Sequence, residues 1–177
     1  MPRLFVAVWP PDEVVERIAA LDRPSVPGLR WTTPDQWHVT LRFLGQVPEP
    51  EEVVAAMAGL SESSGSSAVE AGAGPAIGRF DQRVLHLPVA GLQVLAGEVL
   101  RATAHLGRPP DDRPFSGHLT LARTADRAKV DLRPLTGTPF AASWTVGEVS
   151  VVESRLSSAG ARYAVIERIP LLPPPNR

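Results

Sequence analysis

Two histidines in this chain carry the same neighbours: His38-Val39-Thr40-Leu41 recurs as His118-Leu119-Thr120-Leu121, 80 residues later. The chain holds 4 histidines, 9 threonines and 19 leucines in 177 residues. On that composition a His-x-Thr-Leu tetrapeptide is expected about 0.02 times, and a pair in roughly two chains per ten thousand. In an extended strand, period-two alternation puts His38 and Thr40 on one face and Val39 and Leu41 on the other. The second motif divides in the same way. Each motif therefore offers an imidazole and a hydroxyl side by side, above an apolar pair that faces a core. If two similar lobes face each other, both polar faces line one cleft.

Such a constellation suits displacement at phosphorus. In-line attack needs a base beside the entering oxygen and an acid beside the leaving oxygen, on opposite sides of the phosphate. Histidine, with an unperturbed pKa of about 6.5, can serve as either near neutral pH. Threonine hydroxyls can donate to the non-bridging oxygens as charge develops. A strained cyclic ester needs less help from a metal, and the sequence has no close His-x-His or His-Glu-x-x-His spacing. No metal site and no cofactor are expected. The other two histidines lack the pattern. His86, in Val84-Leu85-His86-Leu87-Pro88, has no threonine two residues on and reads as structural. His105 falls in the last turn of a predicted helix, where a cation suits the dipole.

The elements that must position these motifs follow from periodicity. Leu4, Val6 and Val8 alternate with Phe5, Ala7 and Trp9, predicting a strand buried on both faces, ended by Pro10-Pro11. Asp12 and Glu13 open a helix where the macrodipole favours acids. Val14, Ile18 and Leu21 give it one apolar face, and it stops near Pro24. Leu29-Arg30-Trp31 reads as a short strand, Thr33-Pro34-Asp35 as a turn, and Trp37 to Leu44 as the strand carrying the first motif, closed by Gly45. Glu51 and Glu52 open a second helix with Val53, Met57 and Leu60 inward. The polar stretch 61–67 is a surface loop. Strands are expected over 68–71, 76–80 and 84–89, and a third helix over 91–106. A proline- and charge-rich loop spans 108–113, and the second motif lies on a strand over 117–123. Strands at 144–152 and 163–169 precede a tail, 170–177, whose four prolines predict an extended or disordered run. Strands in succession, rather than in strict alternation with helices, point to an α+β fold with antiparallel sheets.

Composition narrows the function. A chain of 177 residues with 44% hydrophobic content fits one domain, 1–177, with a sizeable core. Proteins that grip long nucleic acid carry a basic excess, because affinity comes largely from counterion release. Here the formal net charge is −1, so a nucleic-acid partner would be held locally, at a terminus. The absence of cysteine excludes disulfides, thiolate metal sites and cysteine nucleophiles. No signal-peptide pattern and no stretch of membrane-spanning length is present. A cytoplasmic, monomeric protein without membrane association is expected.

The motifs also carry a family resemblance. The paired His-x-Thr-Leu tetrapeptides resemble those of the 2H phosphoesterase superfamily, and in particular its RNA 2′,3′-cyclic phosphodiesterases, also described as 2′-5′ RNA ligases. Arg3-Leu4-Phe5-Val6-Ala7 resembles their opening strand, and Trp37 to Gly45 (WHVTLRFLG) their first motif. Phe115 with His118 to Arg123 (HLTLAR) resembles the second motif. Val152 to Leu156 and Gly160 to Tyr163 resemble the closing hairpin. The pattern departs at Gly117, where many relatives carry proline.

The resemblance implies a bilobal α+β fold, two antiparallel sheets facing a central cleft with helices outside, related by a pseudo-two-fold axis. It implies hydrolysis of an RNA-terminal or nucleoside 2′,3′-cyclic phosphate to a 2′-phosphate. By position His38 would be the proton donor and His118 the proton acceptor. Thr40, Thr120 and Arg123 would hold the phosphate, and Phe43 would stack on a base. Strict alternation puts Phe43 and Arg123 on the faces opposite the histidines, so these two roles require a bulge or a strand end. Arg42 competes weakly for the phosphate on the same parity grounds. Trp31 and Trp37 read as core or lobe-interface packing, with pocket lining as the alternative, and Glu153-Ser154-Arg155 as a strand end and turn. The rival readings are 2′-5′ ligation or another cyclic or ADP-ribose-derived phosphate at the same site, and a non-catalytic module that binds RNA ends.

Overall fold

Every residue from Leu4 to Val8 of the first strand, β1 (Arg3–Val8), is buried. Its two faces serve different ends. Leu4, Val6 and Val8 enter the main core, whereas Phe5 and Ala7 form a small second cluster with Val152, edged by Trp9 and Tyr163. In the computed structural model, which describes residues 1–62, 66–110, 112–157 and 160–173, the elements after β1 run in a simple order. They are α1 (Asp12–Ala19), β2 (Leu29–Trp31), β3 (Val39–Gln46), α2 (Pro50–Glu62), β4 (Val69–Ala73), β5 (Gly78–Phe80) and β6 (Val84–Ala90). Then come α3 (Gln93–Thr103), β7 (His118–Thr124), β8 (Ala142–Val146), β9 (Glu148–Ser157) and β10 (Gly160–Pro170).

The strands form one antiparallel path, β10-β9-β1-β3-β7-β6-β4-β8, with β2 beside β7 and β5 beside β6. This corrects the expectation of two separate sheets: hydrogen bonding is continuous. The continuity is thin at one point. Among the described residues β3 and β7 pair at Val39–Leu119 alone, so two runs of four strands meet at the centre of the two histidine motifs.

The helices bury the faces their sequences lay out. α1 buries Val14 and Ile18, with Asp12 and Glu13 in its first turn and Arg17 in its last, which suits the helix dipole at both ends. α2 buries Val53, Met57 and Leu60 and packs on α3. α3 buries Leu95, Ala96 and Val99 and lies against β3.

A further expectation is corrected. The strand read over 144–152 is two strands, parted at Gly147. Ala142, Trp144 and Val146 face one core position after another in β8, which pairs with β4, while β9 pairs with β1 and β10 on the other side of the molecule. The uninterrupted run of β-formers hid that change of partner. The expected turn at Thr33-Pro34-Asp35 is present as a single 3₁₀ turn, Pro34–Gln36, closed by Gln36 Oε1 accepting from the Thr33 N–H at 3.2 Å. The tail begins extended, as expected, and packed. Leu171 is buried, and the Leu172 carbonyl accepts from the Ala68 N–H at 2.7 Å. Residues 174–177, and 63–65 of the polar loop, lie outside the described residues.

Arg42 is another correction. Its side chain is buried, 6% exposed, and it donates to the carbonyls of Leu100, Leu106 and Arg108 at 3.1–3.2 Å and to Thr103 Oγ1 at 2.8 Å. Those carbonyls belong to the C-terminal turn of α3 and the segment just beyond it, where unpaired acceptors and the negative end of the dipole favour a cation. Arg42 thus pins α3 to β3 and has no part in holding phosphate. Arg42→Met, which keeps the apolar stem and leaves the carbonyls unpaired, is expected to cost on the order of 3 kcal/mol. A urea titration that finds the midpoint unchanged would contradict this account.

Candidate active site

The Val39–Leu119 pair fixes the site. Carrying this antiparallel register one residue either way sets His38 across from Thr120 and Thr40 across from His118. All four side chains then stand on one sheet face, opposite Val39 and Leu119, which are fully buried. Directly opposed residues in such a pair stand about 5 Å apart at Cβ, and the diagonal histidines about 7–8 Å apart. That is room for one phosphate between the rings. All four line a single cavity of about 450 Å³.

Both rings are held in the same way. His38 Nδ1 lies 2.8 Å from the Gln36 carbonyl oxygen, and His118 Nδ1 lies 2.9 Å from that of Ser116. A carbonyl can only accept, so Nδ1 carries the proton in each ring and Nε2 is left to the cavity. The local sequence makes this possible: in each case the carbonyl sits two residues before the histidine, where the chain enters the strand.

The surroundings differ. His38 is packed among the rings of Phe5, Trp9 and Tyr163, with centroids 4.9, 5.1 and 4.9 Å away. Burial pushes its pKa down to about 4. The Gln36 carbonyl works against the shift, and the positive charge of His118 and Arg123 adds to it. His38 is therefore neutral at pH 7. Burial also raises the Tyr163 phenol. His118 instead meets Phe80 edge-on at 4.8 Å and His86 at 5.7 Å.

The parity problem of Phe43 and Arg123 is solved by two bulges. Along β1–β3, Ala7 pairs with Thr40 and Val6 with Arg42, so Leu41 is the extra residue. Along β6–β7, His86 pairs with Thr120 and Leu85 with Ala122, so Leu121 is extra. Each bulge inserts a second buried residue after the threonine and returns the next side chain to the cavity face. Phe43 and Arg123 accordingly line the same cavity as the histidines. Arg123 Nη2 lies 3.4 Å from Thr120 Oγ1, and the Arg3 guanidinium sits 5.5 Å from the centre of the Phe43 ring. Six residues singled out in sequence are thereby brought together.

Sequence reading missed several contributors. Thr32 joins the two motifs: its hydroxyl lies 2.8 Å from the carbonyls of Thr120 and Leu121, and it accepts from Trp37 Nε1 at 2.9 Å. Trp37 is 1% exposed, a core residue as expected, but it also ties the first motif to the second strand. Gln36 Nε2 donates to the Ala161 carbonyl of β10 at 2.7 Å. Arg3 and Arg30 line the cavity with Arg123, and no carboxylate among the described residues does, so a chain of net charge −1 presents a locally cationic pocket. Nothing in the spacing marks these residues, because they arrive from strands distant in sequence. Trp31 lines the cavity too, as does Ser154, while Glu153 and Arg155 pair with each other at 2.9 Å. His105 lies beyond the end of α3, exposed and outside the cavity. At Gly117 a Cβ would stand 2.3 Å from the Val89 carbonyl oxygen, so glycine allows the close approach of β6 there.

The chain matches the family model of the 2′-5′ RNA ligase superfamily over residues 10–157. It belongs to that superfamily. Similar superfamily proteins include the RNA 2′,3′-cyclic phosphodiesterase of Escherichia coli K12, 32% identical over 171 residues that cover 94% of each chain. The RNA 2′,3′-cyclic phosphodiesterase of Geobacillus stearothermophilus is 29% identical over 93% of this chain, which spans about half, 54%, of that longer relative. Among solved structures, one from Thermus thermophilus superposes with a TM-score of 0.79 at 29% identity, covering 96% of this chain and 97% of the other. Escherichia coli LigT complexed with 3′-AMP superposes with a TM-score of 0.73 at 27% identity, covering 97% and 99%. No helix among the described residues is long and apolar enough to cross a membrane.

Within this superfamily site His86 is a structural neighbour with a measurable signature. It is 6% exposed, stacked on Phe80 at 3.9 Å and 5°, and burial followed by the charge of His118 lowers its pKa to about 4. Both His38 and His86 bind a proton more weakly in the fold than in the unfolded chain. Folding therefore carries no penalty from them above pH 6.5. A penalty grows as pH falls and is complete near pH 4. His86→Phe removes one of the two contributions, so its melting temperature should fall less than that of the natural chain between pH 7 and 4.5. Parallel declines would show that His86 is not held neutral.

Proposed function

We propose that this chain is a phosphodiesterase that opens 2′,3′-cyclic phosphates on RNA ends or nucleosides, leaving a 2′-phosphate. The observation that carries the reading is the placement of His38, Thr40, His118 and Thr120 on one sheet face around one cavity, both rings presenting Nε2. The naming of similar superfamily members as RNA 2′,3′-cyclic phosphodiesterases supports it.

In this reading the cyclic phosphate lies between the rings. Water attacks phosphorus opposite O3′, giving its proton to His118 Nε2, while the P–O3′ bond breaks and O3′ takes a proton from His38. Thr40, Thr120 and Arg123 hold the non-bridging oxygens. Phe43, backed by Arg3, receives the terminal base. No step calls for a metal or a cofactor. The protein surroundings alone hold His38 neutral near pH 7, so the donor role depends on the substrate's phosphate anion, whose charge favours the imidazolium. Ligation to a 2′-5′ linkage is the same displacement with a 5′-hydroxyl in place of water as the attacking oxygen and O3′ again leaving.

We further infer one domain of two lobes related by a local two-fold axis between Val39 and Leu119. Matched features support this: equivalent Nδ1 hydrogen bonds, equivalent bulges at Leu41 and Leu121, and equivalent cavity positions for Phe43 and Arg123. The protein would act as a cytoplasmic monomer.

His38→Ala and His118→Ala should each lower kcat about 10²–10⁴-fold on a short RNA with a cyclic end, followed by chromatography of the product. Excess EDTA should leave turnover unchanged. Full activity in both variants would remove the acid–base reading, and binding without product would leave only an end-binding module. The pH dependence is a separate check. Because the bound anion raises the His38 pKa, the limb due to the proton donor should lie at higher pH in kcat than in kcat/KM. A donor limb at one pH in both would take that role from His38.

A further inference from the structure

A second cavity, about 760 Å³, opens beside the first and shares Phe43, His118 and Arg123 with it. At about 450 Å³ the first has the size of a pocket for one small ligand, which a single nucleoside cyclic phosphate fills. An RNA substrate does not end there. Its chain continues from the 5′-oxygen of the terminal ribose and must leave past the shared residues.

The second cavity is walled by α3 on one side and by the segment around Arg108 and Phe115 on the other. Phe80 and Phe115 offer rings, Arg108 and Arg113 offer positive charge, and no carboxylate lies among the lining residues described. Gly97 faces this space from the middle of α3, a position where glycine disfavours the helix. A side chain added there would meet only the end of Arg101 within 4 Å. The missing side chain leaves that wall of the cavity open.

We propose that the second cavity holds the nucleotide immediately 5′ of the cyclic end, so that RNA is gripped over two residues. The inference rests on the reading of the first cavity as the cyclic-phosphate site. Ring faces stack on any base, and arginines meet the internucleotide phosphate without reading sequence. The grip is therefore tolerant of base identity and weakens with salt.

The test compares adenosine 2′,3′-cyclic phosphate with the adenylyl dinucleotide bearing the same cyclic end, for the natural chain, Gly97→Trp and Arg108→Ala. The natural chain should prefer the dinucleotide by about tenfold in kcat/KM, the worth of one stacked base. Gly97→Trp, which fills the cavity, should erase that preference while mononucleotide turnover stays unchanged. Arg108→Ala, at an exposed position, should cut the preference about threefold and flatten its salt dependence. Equal turnover of the two substrates by the natural chain overturns the proposal, as does a preference that survives Gly97→Trp. If Gly97→Trp fails to fold, an unaltered preference in Arg108→Ala overturns it instead. Failure of the natural chain on the mononucleotide and dinucleotide alike strikes the cyclic-phosphate reading itself.

Discussion

The backbone pairing of Val39 with Leu119 is the contact on which the site depends. It joins two runs of strands that otherwise have separate partners, and it does so between the histidine and the threonine of each motif. Because both residues are fully buried, the polar members beside them are forced to the opposite face. One hydrogen-bonded register thus sets the separation of two imidazoles and two hydroxyls at once. The Thr32 hydroxyl and the Trp37 indole reinforce the same junction from the chain that precedes His38. The junction is narrow in sequence but braced from two directions.

The bulges at Leu41 and Leu121 extend the active face beyond what a regular strand offers. Without them, Phe43 and Arg123 would point into the core and Arg42 and Ala122 into the cavity. With them, Arg42 turns inward to cap α3, and the adjacent Phe43 is freed for the cavity. One irregularity in pairing therefore serves both the stability of a helix and the chemistry of a pocket. The asymmetry between the two rings has a different origin: aromatic neighbours enclose His38 and lower its pKa, so two identical motifs become chemically distinct through their packing.

The pattern of types and spacing made the motifs, the helices and the elements around them legible in the sequence, because hydrophobic period and repeated tetrapeptides are local signals. The need for bulges was legible too, since parity alone placed Phe43 and Arg123 wrongly. What stayed hidden depends on which strand lies beside which. Thr32, Gln36 and Tyr163 reach the cavity through strand order, and Arg30 through the pairing of β2 with β7. The change of partner at Gly147 was hidden for the same reason: β8 and β9 are chemically one run, and their separation is a fact of topology. Arg42 read as a weak competitor for the phosphate until its burial near the end of α3 supplied acceptors.

Strand order has one more consequence. The chain passes from β1 to β2, back to β3, across to β4 through β8, and back again to β9 and β10. The two runs of strands are thus braided by four covalent crossings, the last of them the single residue Gly147. Neither run is a contiguous piece of polypeptide, so neither can be excised as an autonomous fragment. A gap bounded by so many tethers has its width built in during folding, and the ligand meets an aperture already set by the polypeptide's own weave.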